Sequence, residues 1–527
     1  MNNYQSSIKP DRQKFFSELA KNIYVSLSKL FPVSCSSDEF WFFPQYVYDI
    51  SMLCKWDNFS EETVMDCCQK LSIWDSEIKK LYDINSPSND SELDAYLLSN
   101  MVRTLQEHLE FFRPWERQPT FHLTIACIGI AQALSYGKKD FIRQRALSLP
   151  NFLKTTSHSL KNVPGLFMSL GLNMIKDTRL FFKDCLPKLP ELKEALNALD
   201  DLEQKMIQMP VIENFLFSQS SYAHLVDSHM QTQLDLKSIS DMINYEVNQS
   251  TEFIIDYNKK THKASNFQYL LAQKDYFKPE KKSELEWFSD EVKAIKRHCV
   301  KNGFINDEIN KNCQVQIHRV PDYLKTIRTA SSYSFSPFQK LCKGTFFVLE
   351  NETTSNIGGS VQLSIESPML VAHETYPGHH LLDSYRANLS NWVRRPLESP
   401  LFYEGWACFA EDLMLKTNYY NTSEAVYLVL KRRLWRAVRG FIDLNLNTGK
   451  ITLKEAANKL HQLGIEKHRA YQIVRQYPLN PGYQLCYTIG LLNFFELKSS
   501  SDKTLKKWIQ DILSVGEIPF SIIKKLF

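Results

Sequence analysis

The chain has 527 residues, of which 43% are hydrophobic and 23% are charged, as is usual for a folded globular protein. Its length allows two or three packed sub-domains, and its net charge of +4 gives no reason to expect a nucleic-acid partner. The polar first twelve residues do not have the apolar core of a secretory signal peptide. The longest apolar stretch, 121–136, is shorter than the about 20 residues of a membrane span, so we expect no membrane partner.

The eleven cysteines follow no regular spacing. Cys67 and Cys68 are adjacent and cannot form a Cys-x-x-Cys metal knuckle, while Cys127, Cys408 and Cys486 lie in apolar helical patterns. We therefore expect reduced, buried thiols in a cytoplasmic protein.

Apolar residues recur at three-to-four spacing over most of the first 310 residues, as in amphipathic helices. Turn-rich residues 86–91 interrupt this pattern, so we predict an N-terminal helical region at 1–90 and a helical half at 91–310. The predicted helices are 13–33, 38–83, 92–114, 119–136, 139–148, 233–262 and 279–302.

Residues 313–366 form the one region with strand-like patterns. Helical patterns return after it, which predicts a mostly α fold whose third part, 311–527, has a small β-sheet next to the metal-motif helix. The strand candidates are 313–318, 344–349 and 361–365, with a turn at Gly358-Gly359; the later helices are 368–388, 400–417, 423–447, 453–462 and 467–475.

The most informative segment reads Val-Ala-His-Glu-Thr-Tyr-Pro-Gly-His-His and covers 371–380. Two His and one Glu can hold zinc and leave a fourth position open, and a further Glu beside that position can act as a general base. His373 and Glu374 supply the first ligand and the base. Glu404, in a Glu-Gly-Trp-Ala helix 31 positions after His373, is the predicted third ligand.

The spacing of the second histidine is unusual. In a regular helix, His379 would lie about 9 Å along the axis from His373 and on another face, and His380 would lie about 10 Å away. Pro377-Gly378 can interrupt the helix, because proline lacks a backbone donor and glycine permits unusual dihedral angles. We therefore favour His379 as the second ligand; His380 stays open as an alternative ligand or as a contact to a ligand or to substrate.

These residues resemble a bacterial family known as domain of unknown function 885, which has a His-Glu-x-x-Pro-Gly-His-His segment followed by a Glu-Gly-Trp-Ala helix. Further likeness covers the Arg-rich run 433–439 with Asp443, Pro481-Gly482 and the Tyr-x-x-Gly at 487–490. One departure is Asn447, which stands where the family usually has a histidine.

The family is in turn similar to helical zinc peptidases of the thimet-oligopeptidase and Taq-carboxypeptidase kind, and dipeptidyl peptidase III is a precedent for an expanded motif. The resemblance implies that His373, His379 and Glu404 hold zinc and that Glu374 is the general base. It also makes Tyr487 the candidate donor to the oxyanion of the reacting carbonyl.

We therefore expect a zinc-dependent hydrolase, a metallopeptidase or amidohydrolase, that cleaves a peptide or amide bond in short peptides or amide-linked small molecules. Glu374 would assist the attack of metal-bound water. Arg436 and Arg439 could clamp a substrate carboxylate, and Glu411 or Asp412 could orient a ligand histidine. Two alternatives stay open: a metalloenzyme of another reaction type that tailors a specialised metabolite, which the change at Asn447 would fit, or a catalytically inactive scaffold. The oligomeric state is left open.

Overall fold

The computed structural model describes residues 5–83, 87–261, 276–277, 283–321, 331–335, 343–349, 354–357 and 360–526. Most of these residues are helical, so the predicted mostly α fold is confirmed. The predicted turn at Gly358-Gly359 lies outside the described residues.

The first part of the chain is built from helices whose starts are set by local capping. Ser60 and Asn89 cap two of them through their side-chain oxygens, and Ser283 with Glu286 forms a capping box. The helices are α1 (Gln5–Leu30), α2 (Glu61–Leu81), α3 (Asp90–Glu107), α4 (Pro114–Arg117), α5 (Pro119–Tyr136), α6 (Lys139–Ser159), α7 (Gly165–Cys185), α8 (Lys193–Gln208), α9 (Gln219–His224), α10 (Leu236–Thr261), α11 (Glu284–Lys301) and α12 (Asp307–Asn312).

One predicted helix, 38–83, is wrong in its first half. Residues before α2 form irregular chain and a short 3₁₀ turn, Ile50–Cys54. The aromatic run Phe40–Phe43 supplies apolar residues at consecutive positions, and these bury into the core without a helix. Asp57 fixes the loop instead, because its carboxylate accepts hydrogen bonds from the backbone N–H groups of Val33 and Ser34 at 2.6 and 3.1 Å.

The second part of the chain is also helical, but the predicted helix 368–388 is split in two. The break falls inside the metal motif and is described below. The helices are α13 (Ser367–Glu374), α14 (His379–Ala387), α15 (Pro400–Lys416), α16 (Ser423–Asn447), α17 (Leu453–Gln462), α18 (Lys467–Val474), α19 (Tyr483–Ser499), α20 (Leu505–Ser514) and α21 (Phe520–Leu526).

The described strands are β1 (Tyr276–Phe277), β2 (Gln314–Arg319), β3 (Ser332–Phe335), β4 (Lys343–Val348), β5 (Thr354–Ile357) and β6 (Ser360–Ser364). They form two small sheets. One has the order β1-β6-β5, and the other has the order β2-β4-β3, in which β2 and β4 are parallel and β3 is antiparallel to β4. Strands β2, β4 and β6 lie close to the three predicted positions, whereas β1, β3 and β5 were not predicted.

One large cluster of buried apolar side chains runs from Phe16 in α1 to Ile523 in α21. Helix α15 is buried on nearly every side, with Trp406 fully enclosed. The Trp406 indole N–H donates to the Pro377 carbonyl at 2.8 Å. The core thereby fixes the loop of the metal motif against α15.

Helices α15 and α19 pack backbone to backbone at a pair of glycines. A Cβ atom placed on Gly490 would lie 2.2 Å from the Leu401 carbonyl oxygen, and one placed on Gly405 would lie 2.5 Å from the Gly490 Cα. Only glycine fits at these two positions. The close approach sets the start of α19 beside Glu404.

Ten cysteines lie in the described part of the chain, and each has a free thiol there. Over the same residues, no helix is both long enough and apolar enough to serve as a membrane span.

Candidate metal centre

The metal motif is a broken helix. Helix α13 ends at Glu374 and α14 begins at His379, with a four-residue turn between them. The Gly378 N–H donates to the Ala372 carbonyl at 3.0 Å, and a Cβ atom on Gly378 would lie 1.9 Å from the His373 carbonyl oxygen, so only glycine fits. The turn brings the His373 and His379 rings to 4.9 Å between centroids.

Three of the predicted residues, His373, His379 and Glu404, come together in the core. Their ligand atoms lie within 4.8 Å of one another, and all three side chains are buried. Oε2 of Glu404 stands 3.7 Å from Nε2 of His373 and 3.6 Å from Nε2 of His379. These separations are too long for hydrogen bonds.

The separations fit a zinc ion held between the three atoms. Ligand atoms stand roughly 3.3–3.6 Å apart in a tetrahedral site with bonds of about 2.0–2.2 Å. Oε2 of Glu404 is buried without a hydrogen-bond partner, which is costly for a carboxylate oxygen unless a cation satisfies it.

Glu411 holds His373 in the orientation that a metal requires. Its Oε1 lies 3.0 Å from Nδ1 of His373. If Nδ1 carries the proton and donates it to Glu411, Nε2 keeps its lone pair for an ion. The Arg436 guanidinium also lies 3.2 Å from Nδ1, but both are then donors, so the bond to Glu411 is the one that forms.

Two arginines keep Glu411 ionised. Arg436 donates to it at 2.6 and 3.1 Å, and Arg432 donates at 2.8 and 3.0 Å. Burial favours the neutral acid, but these arginines lower the pKa of Glu411 well below its usual range. Arg436 therefore acts on the predicted ligand His373 through Glu411. Arg432 does the same, and it was not among the predicted site residues.

Two tyrosines of α19 surround Glu404. The Tyr483 hydroxyl donates to Oε1 of Glu404 at 2.9 Å. Burial, followed by the nearby Glu404 carboxylate, raises the pKa of Tyr487 well above its usual value, so this hydroxyl stays protonated and can donate. Tyr487 was a predicted site residue, whereas Tyr483 was not; its place directly after Pro481-Gly482 was the only signal in the sequence.

Asp443 holds the first turn of α19 in place. It accepts hydrogen bonds from the backbone N–H groups of Gly482 and Gln484, each at 2.9 Å. It also accepts from the Tyr222 hydroxyl at 3.0 Å and from the Asn447 amide at 2.7 Å. Asn447 thus contacts Asp443, four positions back on α16, and is not among the three clustered residues.

His380 points away from the cluster. Its Nδ1 lies 3.1 Å from the Tyr333 hydroxyl, and its ring packs against Tyr376 at 4.9 Å between centroids. Burial lowers the pKa of His380 to about 3. The structure therefore places His379, and not His380, beside His373.

Strand β3 lies against the predicted base. The backbone N–H of Tyr333 donates to Oε2 of Glu374 at 2.9 Å. Since β3 pairs with β4 on one side only, this contact comes from the edge of its sheet. The Glu374 carboxylate is therefore held by the backbone of β3.

The two predicted clamp arginines both have partners within the protein, and the clamp stays a prediction. Arg436 is occupied by Glu411, as described above. Arg439 donates to the side-chain carbonyl of Gln484, and its guanidinium lies 5.1 Å from the Tyr487 ring. Both guanidinium groups border Tyr487, the candidate oxyanion donor, since that of Arg436 lies 6.0 Å from the same ring.

Two neighbouring cavities are lined mainly by the N-terminal helices and reach residues that are close in sequence to Tyr333 and Tyr483. The larger, of about 560 Å³, has a wall of aromatic side chains that includes Trp41 and reaches Asn480, three residues before Tyr483. The smaller, of about 200 Å³, reaches Ser334 and Phe335, which follow Tyr333 on β3. Glu39, Thr124 and Met174 line both cavities.

Comparison with known proteins gives one family and one fold. Residues 188–526 match the model of a bacterial protein family of unknown function, DUF885. A solved structure of a "putative lipoprotein of unknown function" from Shewanella oneidensis is similar with a TM-score of 0.72 and 14% identity, covering 97% of this chain and 99% of that one. The crystal structure of a "putative lipoprotein" from Colwellia psychrerythraea is similar with a TM-score of 0.72 and 13% identity, covering 98% of each chain. No curated protein sequence matches the chain.

Proposed function

The chain belongs to the bacterial family DUF885, and from this premise we propose that it is a zinc-dependent hydrolase of peptide or amide bonds. The single observation that carries the proposal is the buried Oε2 of Glu404, which lacks a hydrogen-bond partner and faces two imidazole nitrogens at 3.6 and 3.7 Å. Burial of a carboxylate oxygen without a hydrogen-bond partner is costly, and a cation that joins the three groups removes this cost. Two histidines and one carboxylate are a ligand set typical of hydrolytic zinc sites.

His373, His379 and Glu404 would hold the ion. Zinc in such a site supplies a Lewis acid that polarises a carbonyl and lowers the pKa of a water ligand to about 7. Glu374 accepts the proton of the attacking water and passes it to the leaving amine, as its place next to His373 allows. Tyr487 donates a hydrogen bond to the carbonyl oxygen as negative charge develops there.

The proposed substrates are short peptides or amide-linked small molecules. The 560 and 200 Å³ cavities have volumes that suit ligands of this size. Their shared wall and their approach to Tyr333 on one side and to Asn480 on the other support a substrate path that ends near Glu374. The cytoplasmic location expected from the reduced thiols stays a prediction.

A metal-dependence screen tests this function. Protein stripped with a chelator and then supplied with one equivalent of zinc is incubated with short peptides and N-acyl amino acids, and products are identified by mass spectrometry. We expect cleavage products that have gained one water, formed by the zinc-supplied protein and not by the stripped protein. Cleavage that does not depend on metal would contradict the proposal. Products of another reaction type would favour the alternative of a derived chemistry.

A change at Glu411 is expected to weaken metal binding without touching a ligand. Glu411→Gln removes the carboxylate that orients Nδ1 of His373 and that pairs with Arg432 and Arg436. Loss of such a supporting partner typically lowers metal affinity roughly 10- to 100-fold. Competition with a chromophoric chelator measures the affinity.

The next residue is a matched control for Glu411→Gln. Asp412 is also a buried carboxylate of α15, but it pairs with Arg433 at 3.3 Å and does not contact His373. Asp412→Asn is expected to leave zinc affinity close to that of the wild type. Equal weakening by both variants would show that the effect is general and does not pass through His373.

A further inference from the structure

A second cluster of metal-ligating side chains lies apart from the metal centre. Oε2 of Glu107, at the end of α3, is 2.6 Å from Nε2 of His224 and 2.5 Å from Nε2 of His229. The ligand atoms of the three residues lie within 4.8 Å of one another. His229 is buried, whereas the His224 side chain is 54% exposed, so one side of the cluster is open to solvent.

A local widening of the helix places the two histidines on one face. His224 and His229 are five positions apart, which in a regular helix is about 7.5 Å along the axis and about 140° around it. Residues Leu225–His229 form a π turn, with the Met230 N–H bonded to the Leu225 carbonyl at 3.1 Å. The ring centroids are consequently 5.6 Å apart.

A second π turn, His108–Phe112, follows Glu107 directly. π turns are rare and occur often at functional sites, because they cost stability that regular helix would keep. Two of them meet at this one cluster. The buried Nδ1 of His229 has no hydrogen-bond partner, so no hydrogen bond on that side of the ring sets its orientation.

We propose that Glu107, His224 and His229 form a second binding site for a divalent transition metal of the zinc class. Two imidazoles and one carboxylate are a suitable donor set, with solvent completing the coordination on the side of His224. The ion replaces the two hydrogen bonds to Glu107. It requires the Glu107 oxygen to lie about 0.8 Å further from each imidazole nitrogen, at the separations of a tetrahedral site. The partly exposed side chains of Glu107 and His224 are able to make this shift while His229 stays buried.

The site would clamp α3 to the segment that supports the start of α19. The π turn packs on Gly482, where an added Cβ atom would lie 2.8 Å from the Leu225 side chain. Tyr222, two positions before His224, donates to Asp443, which holds the first turn of α19. An ion at the second cluster therefore stabilises a segment that reaches the start of α19 through Asp443 and Gly482.

Metal stoichiometry tests this inference. Wild-type, His224→Ala and His373→Ala proteins are equilibrated with zinc, dialysed and measured by elemental mass spectrometry. We expect His224→Ala to hold one ion fewer per chain than the wild type and His373→Ala to keep the ion that His224→Ala loses. His158→Ala, which changes an exposed histidine of α6, is the matched control and should match the wild type. Equal ion counts in the wild type and His224→Ala would overturn the second site.

A melting experiment gives an independent readout. An ion that binds only the folded chain raises its melting temperature with increasing free metal. In the His373→Ala background, zinc should raise the melting temperature, and adding His224→Ala should abolish this rise while adding His158→Ala should not. Because the first metal centre is removed in all three proteins, failure of the second site is distinguishable from failure of the proposed hydrolase. A rise that persists with His224→Ala would contradict the inference.

Discussion

Replacing His379 by alanine is expected to abolish tight zinc binding, whereas the same change at the next residue, His380, is expected to leave it intact. Nε2 of His379 faces Glu404 at 3.6 Å, but Nδ1 of His380 faces the Tyr333 hydroxyl at 3.1 Å. Loss of a ligand removes a metal bond, so affinity should fall by more than the roughly 10- to 100-fold expected for a supporting partner.

The two variants are closely matched, since both remove a buried imidazole from the first turn of α14. Equilibrium dialysis with elemental analysis gives the zinc content, and circular dichroism checks that each variant is folded. Glu404→Gln should behave like His379→Ala, because it removes the negative charge that faces both imidazoles. Zinc retained by His379→Ala and lost by His380→Ala would reverse the ligand assignment and would require α14 to turn from its present position.

The candidate ligands could be proposed from sequence because His and Glu are residue types that bind zinc. Pro-Gly between the two histidines permits a break in the helix, and such a break can bring the second histidine back to the first. The structure has this break, with Gly378 fitted so closely against the His373 carbonyl that no side chain is tolerated. The spacing alone did not separate His379 from His380, since that choice depends on how the turn rotates the next helix.

The supporting residues could not be found in the same way. Tyr483 reaches Glu404 only because Gly405 and Gly490 let α15 and α19 approach backbone to backbone. Arg432 on α16 donates to Glu411 on α15. Contacts between helices depend on tertiary packing, and the periodicity of residues within one segment does not predict them.

Errors in the fold have the same origin. The apolar residues around Phe40–Phe43 predict a helix, but consecutive aromatic residues can be buried by tertiary packing without forming one. The cluster of Glu107, His224 and His229 was missed because its members are far apart in sequence and because five-residue spacing is off-face in a regular helix. The π turn Leu225–His229 brings the two histidine rings to the same face of the helix.

Replacing Glu374 by glutamine is expected to abolish hydrolysis while zinc remains bound. Glu374 is not one of the three clustered ligands, and the Tyr333 N–H already holds its carboxylate in place. Glutamine keeps the shape and can still accept that hydrogen bond, but it cannot take a proton at neutral pH. Loss of a general base typically costs roughly 10²- to 10⁴-fold in rate.

The measurement pairs turnover with metal content on the same samples, using the substrate found in the metal-dependence screen. Glu291→Gln serves as the control, since this carboxylate bonds to Tyr419 at 3.0 Å and not to a residue of the metal centre. We expect both variants to keep their full zinc content and only Glu374→Gln to lose turnover. This result would assign the proton transfer to Glu374 and would show that Glu374 is not needed to hold the ion. Full zinc content with turnover near that of the wild type would assign the base to another group, because a carboxamide at this position has no proton-accepting capacity to contribute.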